Sequence, residues 1–324
     1  MTPPESPPSP RVTIAIPTFR RRERLARLLD ELPGQRRAAE TAHGVTTSIV
    51  VIDNDPERSA REVVDGQDAV YVTEPTPGLA AVRNAAIDAA GDADALVFID
   101  DDETPEPGWL ASLVGQWRAG GSEFVSGRVS STFAEPVDPW IEAGGFFRRV
   151  TFAPEERMPF AATNNLLIDL GFLRAHGLRF DPAFSLSGGE DIRITSQAVA
   201  LGARITACPD ALVLDPVPTD RATRSWVLRR AFRVGTTTAR CDLALRTGVA
   251  ERLMRRVLWL ALGVGRIVAG AGRWLVGVLT RRLVHEARGA RLVARGAGMT
   301  VGAFGLRYRE YRARHTAAGR IAVD

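Results

Sequence analysis

The sequence predicts an α/β fold with a mostly parallel sheet covered by helices on both faces, followed by a helical, arginine-rich C-terminal extension. Three observations carry this reading. Short unbroken apolar runs alternate with stretches of helical spacing in the N-terminal part, as expected of strands buried between two layers of helices. From Thr223 onward the pattern is helical. Charge also divides along the chain: residues 1–220 hold 20 Arg and 33 acidic residues, net −13, and residues 221–324 hold 22 Arg and 5 acidic residues, net +17. A split this strong indicates two parts with different partners.

The elements follow in order. Residues 11–17, Arg-Val-Thr-Ile-Ala-Ile-Pro, form a buried strand. Arg20 to Leu32 has helical spacing of Leu25, Leu28, Leu29 and Leu32, and Pro33-Gly34 is expected to stop it. Thr47 to Ile52 is a second strand, Val70 to Val72 a short third, Gly78 to Ala90 an Ala-rich helix, and Ala95 to Ile99 a fourth strand. Beyond it, Trp109 to Trp117 reads as a helix, Phe124 to Ser130 and Asn164 to Asp169 as strands, and Asp191 to Leu201 as a helix ended by Gly202. Arg204 to Ala207 and Ala211 to Leu214 read as two short strands.

A chain of 324 residues, 45% of them hydrophobic, suits one large α/β domain with an appendage. Met1 to Pro10 is rich in Pro and Ser with no apolar core; it reads as a flexible tail rather than a signal peptide. The body is expected over 11–220 and the basic helical region over 221–324. Cys208 and Cys241 lack the spacing of a disulfide framework or a zinc site, which fits a reducing, cytoplasmic setting. Every basic side chain besides histidine is Arg. The absence of Lys excludes Schiff-base chemistry and a P-loop.

Val257 to Leu279 is strongly apolar but interrupted by Arg266 and Arg273, which fall within about 20° of each other at 100° per residue, with Arg255 near the same line. Two mid-span arginines disfavour a transmembrane helix. A basic stripe on an apolar helix suits the surface of an anionic membrane; packing on the body or on a second subunit is the alternative.

In a doubly covered sheet, ligands lie at the carboxyl ends of the strands. Here those ends carry Thr18, Asp53 and Asp100-Asp101-Asp102. Carboxylates clustered at a strand end repel one another unless a cation neutralises them, and hard cations such as Mg²⁺ or Mn²⁺ take one or two carboxylates plus substrate phosphates. The plainer reading of the run is a solvated acidic turn that opens a helix.

Five motifs occur in order: Ile-Pro-Thr-Phe-Arg (16–20), Val-Ile-Asp-Asn-Asp (51–55), Pro-Gly-Leu-Ala-Ala-Val-Arg-Asn (77–84), Phe-Ile-Asp-Asp-Asp (98–102) and Gly-Gly-Glu-Asp (188–191). Together they resemble family 2 glycosyltransferases of the GT-A fold, a Rossmann-like mixed sheet flanked by helices that binds nucleotide-diphospho-sugars. Asp-Asn-Asp-Pro and Asp-Asp-Asp-Glu are similar to bacterial enzymes of succinoglycan-type polysaccharide assembly. The resemblance covers about the first 200 residues and not the Arg-rich C-terminus.

The resemblance implies an inverting, metal-dependent transfer of a sugar from a nucleoside-diphosphate donor, UDP-type favoured, to a glycan or lipid-linked acceptor, at the inner face of the cell membrane. Pro17 and Thr18 would line the nucleobase pocket, Arg20 would lie near the nucleotide, and Asp53 would accept from the base; a turn-capping role is the alternative for Asp53. Arg83 and Asn84 would reach the site. Asp102 would hold Mn²⁺ or Mg²⁺, with Asp100 or Asp101 at the ribose or the metal waters. Asp191 would be the general base, with Glu190 next in line; alternatively the two acids merely favour a helix N-terminus. Thr163-Asn164-Asn165 could face a sugar or form a polar strand edge.

One departure concerns the metal. Many relatives place a histidine just before the Val-Pro segment; here Asp215 stands there, and the four histidines, His43, His176, His285 and His315, lie elsewhere. Asp215 could replace that ligand. Arg224, Arg229, Arg230 and Arg233 could cover the diphosphate or face anionic lipid. No nucleic-acid module accompanies the basic region. The competing functions are a nucleotidyltransferase of sugar metabolism, disfavoured by the missing Gly-rich loop and Lys, and a non-catalytic glycan- or membrane-binding relative.

Overall fold

A computed structural model describes residues 9–185 and 188–306. The predicted tail, apart from Ser9 and Pro10, and His315 lie outside these residues. Eight strands form one sheet: β1 (Arg11–Thr18), β2 (Thr46–Asp53), β3 (Val70–Thr73), β4 (Ala95–Ile99), β5 (Thr104–Pro105), β6 (Phe124–Thr132), β7 (Asn165–Asp169) and β8 (Ile205–Pro216), in the order β3-β2-β1-β4-β7-β6-β8-β5. The helices are α1 (Arg22–His43), α2 (Arg61–Val64), α3 (Leu79–Ala89), α4 (Trp109–Arg118), α5 (Pro139–Gly144), α6 (Leu170–Ala175), α7 (Glu190–Ala200), α8 (Arg224–Ala244), α9 (Val249–Thr280) and α10 (Leu283–Ala303).

The sheet is mixed rather than mostly parallel. β3, β2, β1 and β4 run parallel, but β7 is antiparallel to both β4 and β6. Alternating residues feed two cores. Ile14, Ile16, Val97 and Ile99 pack with Leu25, Leu28, Leu32 and Trp109 of α1 and α4. Ala15, Leu96 and Phe98 face the other way, onto Ala80, Val82 and Ala86 of α3 and Ile194 and Ala198 of α7. Buried runs with two covered faces give β1, β2 and β4 their unbroken apolar sequences.

Two expected boundaries are corrected. Pro33 does not stop α1, which runs on to His43 and ends at Gly44, a left-handed cap at φ 61° whose N–H bonds Glu40 O. Pro33 forfeits a helical bond, but the following turn is tied down from outside: Gln35 Nε2 donates to Glu106 O at 2.9 Å, Arg36 donates to Thr47 Oγ1 and O, and Ala39 is buried. Likewise, the two short strands after Gly202 are one strand, β8. Its pairing with β6 jumps from Gly127↔Cys208 to Arg128↔Leu212, so the interruption around Pro209-Asp210 is a bulge.

The C-terminal helices pack through glycine. Gly263, Gly270 and Gly277 are the buried residues of α9. A Cβ on Gly270 would stand 2.8 Å from Val293 N and 2.9 Å from Gly289 O of α10, so the two backbones touch. α10 in turn docks on the body: Trp140 Nε1 donates to Glu286 Oε1 at 3.0 Å, and Arg291 Nη1 donates to Gly145 O at 2.8 Å. Arg266 and Arg273 are half-buried beside the α10 seam, not on the outer face. That outer face presents Leu253, Val257, Val264, Val268, Leu275 and Leu279, all exposed. Among the described residues α9 is the one helix long and apolar enough to cross a membrane, and only 17% of its most apolar stretch is buried. Packing against the body therefore does not account for its apolar character.

Candidate active site

The acidic run sits where β4 ends, beside the end of β1. Asp101 is buried and accepts from the Thr18 hydroxyl at 2.7 Å and from Arg21 Nη1 at 2.7 Å. Asp102 Oδ2 accepts from Arg21 at 2.9 Å and Arg24 at 3.0 Å. Desolvation pushes Asp100 up to about 6, with Arg83 opposing and the charges of Asp102 and Asp101 adding. Burial also raises Asp101, against Arg21 and Thr18. Glu103 lies well above the usual carboxylate range, through burial and then the charge of Asp100, although the Asp100 N–H and Asn164 Nδ2 both bond it. Asp215 approaches from β8: Thr104 pairs with Leu214, which brings Asp215 to the level of Glu103. Its Oδ2 accepts from Arg149 at 2.7 Å.

The second acidic pair arrives on α7. Gly189, at φ 95°, turns the chain into the helix, and a Cβ there would overlap Thr237 of α8. Glu190 is buried and ion-paired with Arg83, itself buried on α3. Burial pushes Glu190 up to about 7, with Arg83 opposing and Asp191 adding. Its Oε2 is buried with no partner among the described residues. For Arg83, burial works against the charge, yet Glu190, Asp191 and Asp100 outweigh it and its pKa is raised. Arg83 thus links the acidic run to the α7 acids. Asp191 is half-buried, with Oδ1 accepting from the Ile192 N–H at 2.7 Å.

Other expected residues are held differently. Asp53 is fully buried: Oδ1 accepts from Asp55 N, and Oδ2 from Ala60 N and the Tyr71 hydroxyl. It organises the loop after β2, the turn-capping alternative. Arg20, at φ 54°, pairs with Asp55 at 2.9 Å and Glu57 at 3.1 Å on that loop. Pro17 is half-buried at the end of β1. Asn84 turns away from the acidic run, exchanging two 2.9 Å bonds with the Phe180 backbone. Asn165 is a buried clamp that accepts from Trp109 Nε1 and donates to Arg128 O and Ala211 O. Sequence reasoning missed Arg21, Arg24 and Arg149, and it gave Glu103, quoted with the acidic run, no role of its own. For the first two the signal was present, since a run of arginines opens the helix that follows β1.

The donor set fits a hard cation of the Mg²⁺ or Mn²⁺ kind. The carboxylates are crowded and partly desolvated at one strand end. Among the described residues no group of three or more His, Cys, Asp or Glu forms a protein-only metal cage. That leaves the arrangement of one or two carboxylates completed by phosphate oxygens and water.

Residues 13–176 match the model of glycosyl transferase family 2. The chain belongs to that family. This family 2 glycosyltransferase is 32% identical over 235 residues to the succinoglycan biosynthesis protein ExoM of Rhizobium meliloti (strain 1021), covering 71% of the chain and 74% of ExoM. It is 26% identical over 300 residues to the pre-mycofactocin glycosyltransferase of Mycobacterium tuberculosis, covering 88% of the chain but 59% of that relative. Among solved structures it is similar to the mannosyltransferase PcManGT from Pyrobaculum calidifontis in complex with GDP-Man and Mn²⁺, with a TM-score of 0.57, 17% identity, and 89% and 86% of the two chains covered. It is also similar to S. aureus TarS 1–349 in complex with UDP, with a TM-score of 0.50, 17% identity, and 92% and 93% covered. These likenesses establish the GT-A fold, mixed sheet and helical C-terminal region included, and family membership makes the chain a glycosyltransferase rather than a nucleotidyltransferase.

Proposed function

We propose that this glycosyltransferase moves a sugar from a nucleoside-diphosphate donor, UDP-type favoured, onto a glycan or lipid-linked acceptor with inversion, at the inner, cytoplasmic face of the cell membrane, in polysaccharide assembly. The observation that carries the reading is the placement of Arg83 between Asp100 of the acidic run and the Glu190-Asp191 pair. Arg83 thereby joins the carboxylates proposed for a metal-bound diphosphate to the carboxylate proposed for the acceptor. The name of ExoM supports the polysaccharide setting, and the ligands of TarS and PcManGT support a nucleotide-sugar donor.

Pro17 and Thr18 form one wall of the nucleotide site. Asp53 and the Arg20–Asp55 pair fix the loop that forms the other. Asp102 would hold the metal, with Asp215 or Asp100 as a second ligand, and a cation there would neutralise charge on the departing diphosphate. Asp191 is the general base because it is the more accessible acid of its pair. It takes the proton from the acceptor hydroxyl while that oxygen bonds the anomeric carbon opposite the diphosphate. The carbon–oxygen bond to the diphosphate breaks, and its electron pair leaves with the nucleotide. Glu190, buried against Arg83, is a positioning residue.

The outer face of α9 supports membrane association. From Leu253 to Leu279 it runs about 39 Å at 1.5 Å per residue without a charge among its exposed apolar side chains, which suits burial at a bilayer surface. Incubating the full-length protein with UDP- and GDP-sugars, with and without Mn²⁺, tests the function. Mn²⁺-dependent release of nucleoside diphosphate is expected, and no turnover of any donor under either condition would overturn it.

A further inference from the structure

Alongside the catalytic cleft, the segment after α5, with α8 and α10, borders a cavity of about 200 Å³ lined by Phe146, Phe147, Arg149, Arg230, Arg291 and Arg295, among others. Its positive charge is poorly compensated. Desolvation lowers Arg230 to about 10, with Arg149 and Arg233 adding and Asp215 only partly offsetting them. Desolvation, then neighbouring arginines, lowers Arg291 and Arg295 as well. The Nε groups of Arg149 and Arg295 are buried donors with no partner among the described residues. The aromatic walls hold the guanidiniums in place: Arg230 lies 5.8 Å from the Phe147 ring and Arg291 5.6 Å from the Phe146 ring. Several guanidinium forks facing one space fit an oxygen-rich, multiply charged anion, above all a phosphate or diphosphate.

Position narrows the ligand. At one end Arg149 bonds Asp215, beside the acidic run. At the other, Arg295 feels the charge of Arg266 on α9, the helix with the exposed apolar face. The cavity therefore lies between the apolar helix and the place of transfer. We infer that it receives the phosphate or diphosphate group of a lipid-linked acceptor, holding the acceptor's anionic linker while its sugar end reaches Asp191. This rests on the proposed transfer to a lipid-linked acceptor and adds the site that would recognise the acceptor's charge.

The test uses full-length protein with farnesyl phosphate, farnesyl diphosphate and uncharged farnesol as probes, in calorimetry at fixed Mn²⁺. Wild type is expected to bind both phosphorylated probes and to release them to inorganic pyrophosphate. Arg295→Gln and Arg291→Gln/Arg295→Gln are expected to bind them about 10- to 100-fold more weakly, the range for losing charge-assisted hydrogen bonds. UDP affinity in the same variants, expected within about twofold of wild type, confirms an intact fold. Equal binding of farnesol, or undiminished binding of farnesyl diphosphate by the double variant, overturns the inference. Release by phosphatidylglycerol vesicles but not by pyrophosphate overturns it too, by assigning the cavity to membrane headgroups. The donor-turnover assay on wild type stands apart: its failure removes the proposed function, whereas these outcomes remove only the acceptor site.

Discussion

Replacing Arg83 with Met leaves Glu190 buried beside Asp191 with no counter-charge. Breaking a buried pair from one side costs about 3–5 kcal/mol, a large share of the 5–15 kcal/mol typical of a domain. The effect should depend on pH. Glu190 sits at about 7 in the fold against an ordinary 4.5, so its contribution to stability is full below pH 4.5 and declines as pH rises towards 7. At 1.36 kcal/mol for each pH unit between the two values this is about 3 kcal/mol. Without Arg83 the carboxyl shifts higher still and the decline extends past pH 7. Urea unfolding of wild type, Arg83→Met, Glu190→Gln and the double variant at pH 5 and pH 8 is the assay. Arg83→Met should cost about 3–5 kcal/mol at pH 8 and about 1.4 kcal/mol less at pH 5, and adding Glu190→Gln should recover about that difference at pH 8. An equal cost at both pH values, with no rescue by Glu190→Gln, would refute the reasoning.

Asp102→Ala should abolish Mn²⁺-dependent binding of UDP in calorimetry; unchanged affinity removes Asp102 from the metal site. Asp191→Asn should keep donor binding and lose transfer by about 10²- to 10⁴-fold, and full activity would move the base to Glu190. Gly270→Ala, whose Cβ would stand 2.8 Å from Val293 N of α10, should cost about 1–3 kcal/mol in thermal melts. Gly265→Ala, which meets open space, should be neutral or stabilising by about 0.5–1 kcal/mol; equal losses would mean the seam is not in backbone contact. Val264→Glu/Val268→Glu should abolish pelleting with phosphatidylglycerol vesicles without lowering the melting temperature, and continued pelleting would place bilayer contact elsewhere.

The buried strands were legible because each is a short apolar run ending in polar residues, and β1, β2 and β4 lie where those runs lie. Helix α1 was misread at Pro33 because local propensity is silent about Gln35 reaching Glu106 O, about 70 positions away in sequence. β8 was split for a similar reason, since a bulge and a strand end carry the same turn residues. At the site, the sequence put Asp100 to Asp102 at a strand end, while Arg83 within α3 and the Glu190-Asp191 pair at the start of α7 came from the resemblance. It did not show which way side chains point. Arg20 and Arg21 are adjacent, yet the positive φ of Arg20 sends it to Asp55 while Arg21 reaches Asp101. Asn84 sits next to Arg83 but on another face of α3, where it holds Phe180.

The glycine seam between α9 and α10 has a consequence for reach. Helices packed through larger side chains stand up to about 10 Å apart, and small residues bring the spacing to about 8 Å or below. α10 is the layer between α9 and the catalytic body, so the seam works as a short spacer. Were α9 to lie at a bilayer, as proposed, the seam would hold the catalytic end close above the lipid headgroups and would select for sugars carried near that surface. Bulkier residues at Gly263, Gly270 and Gly277 would raise the enzyme off the membrane and shift its preference towards acceptors that extend further from it.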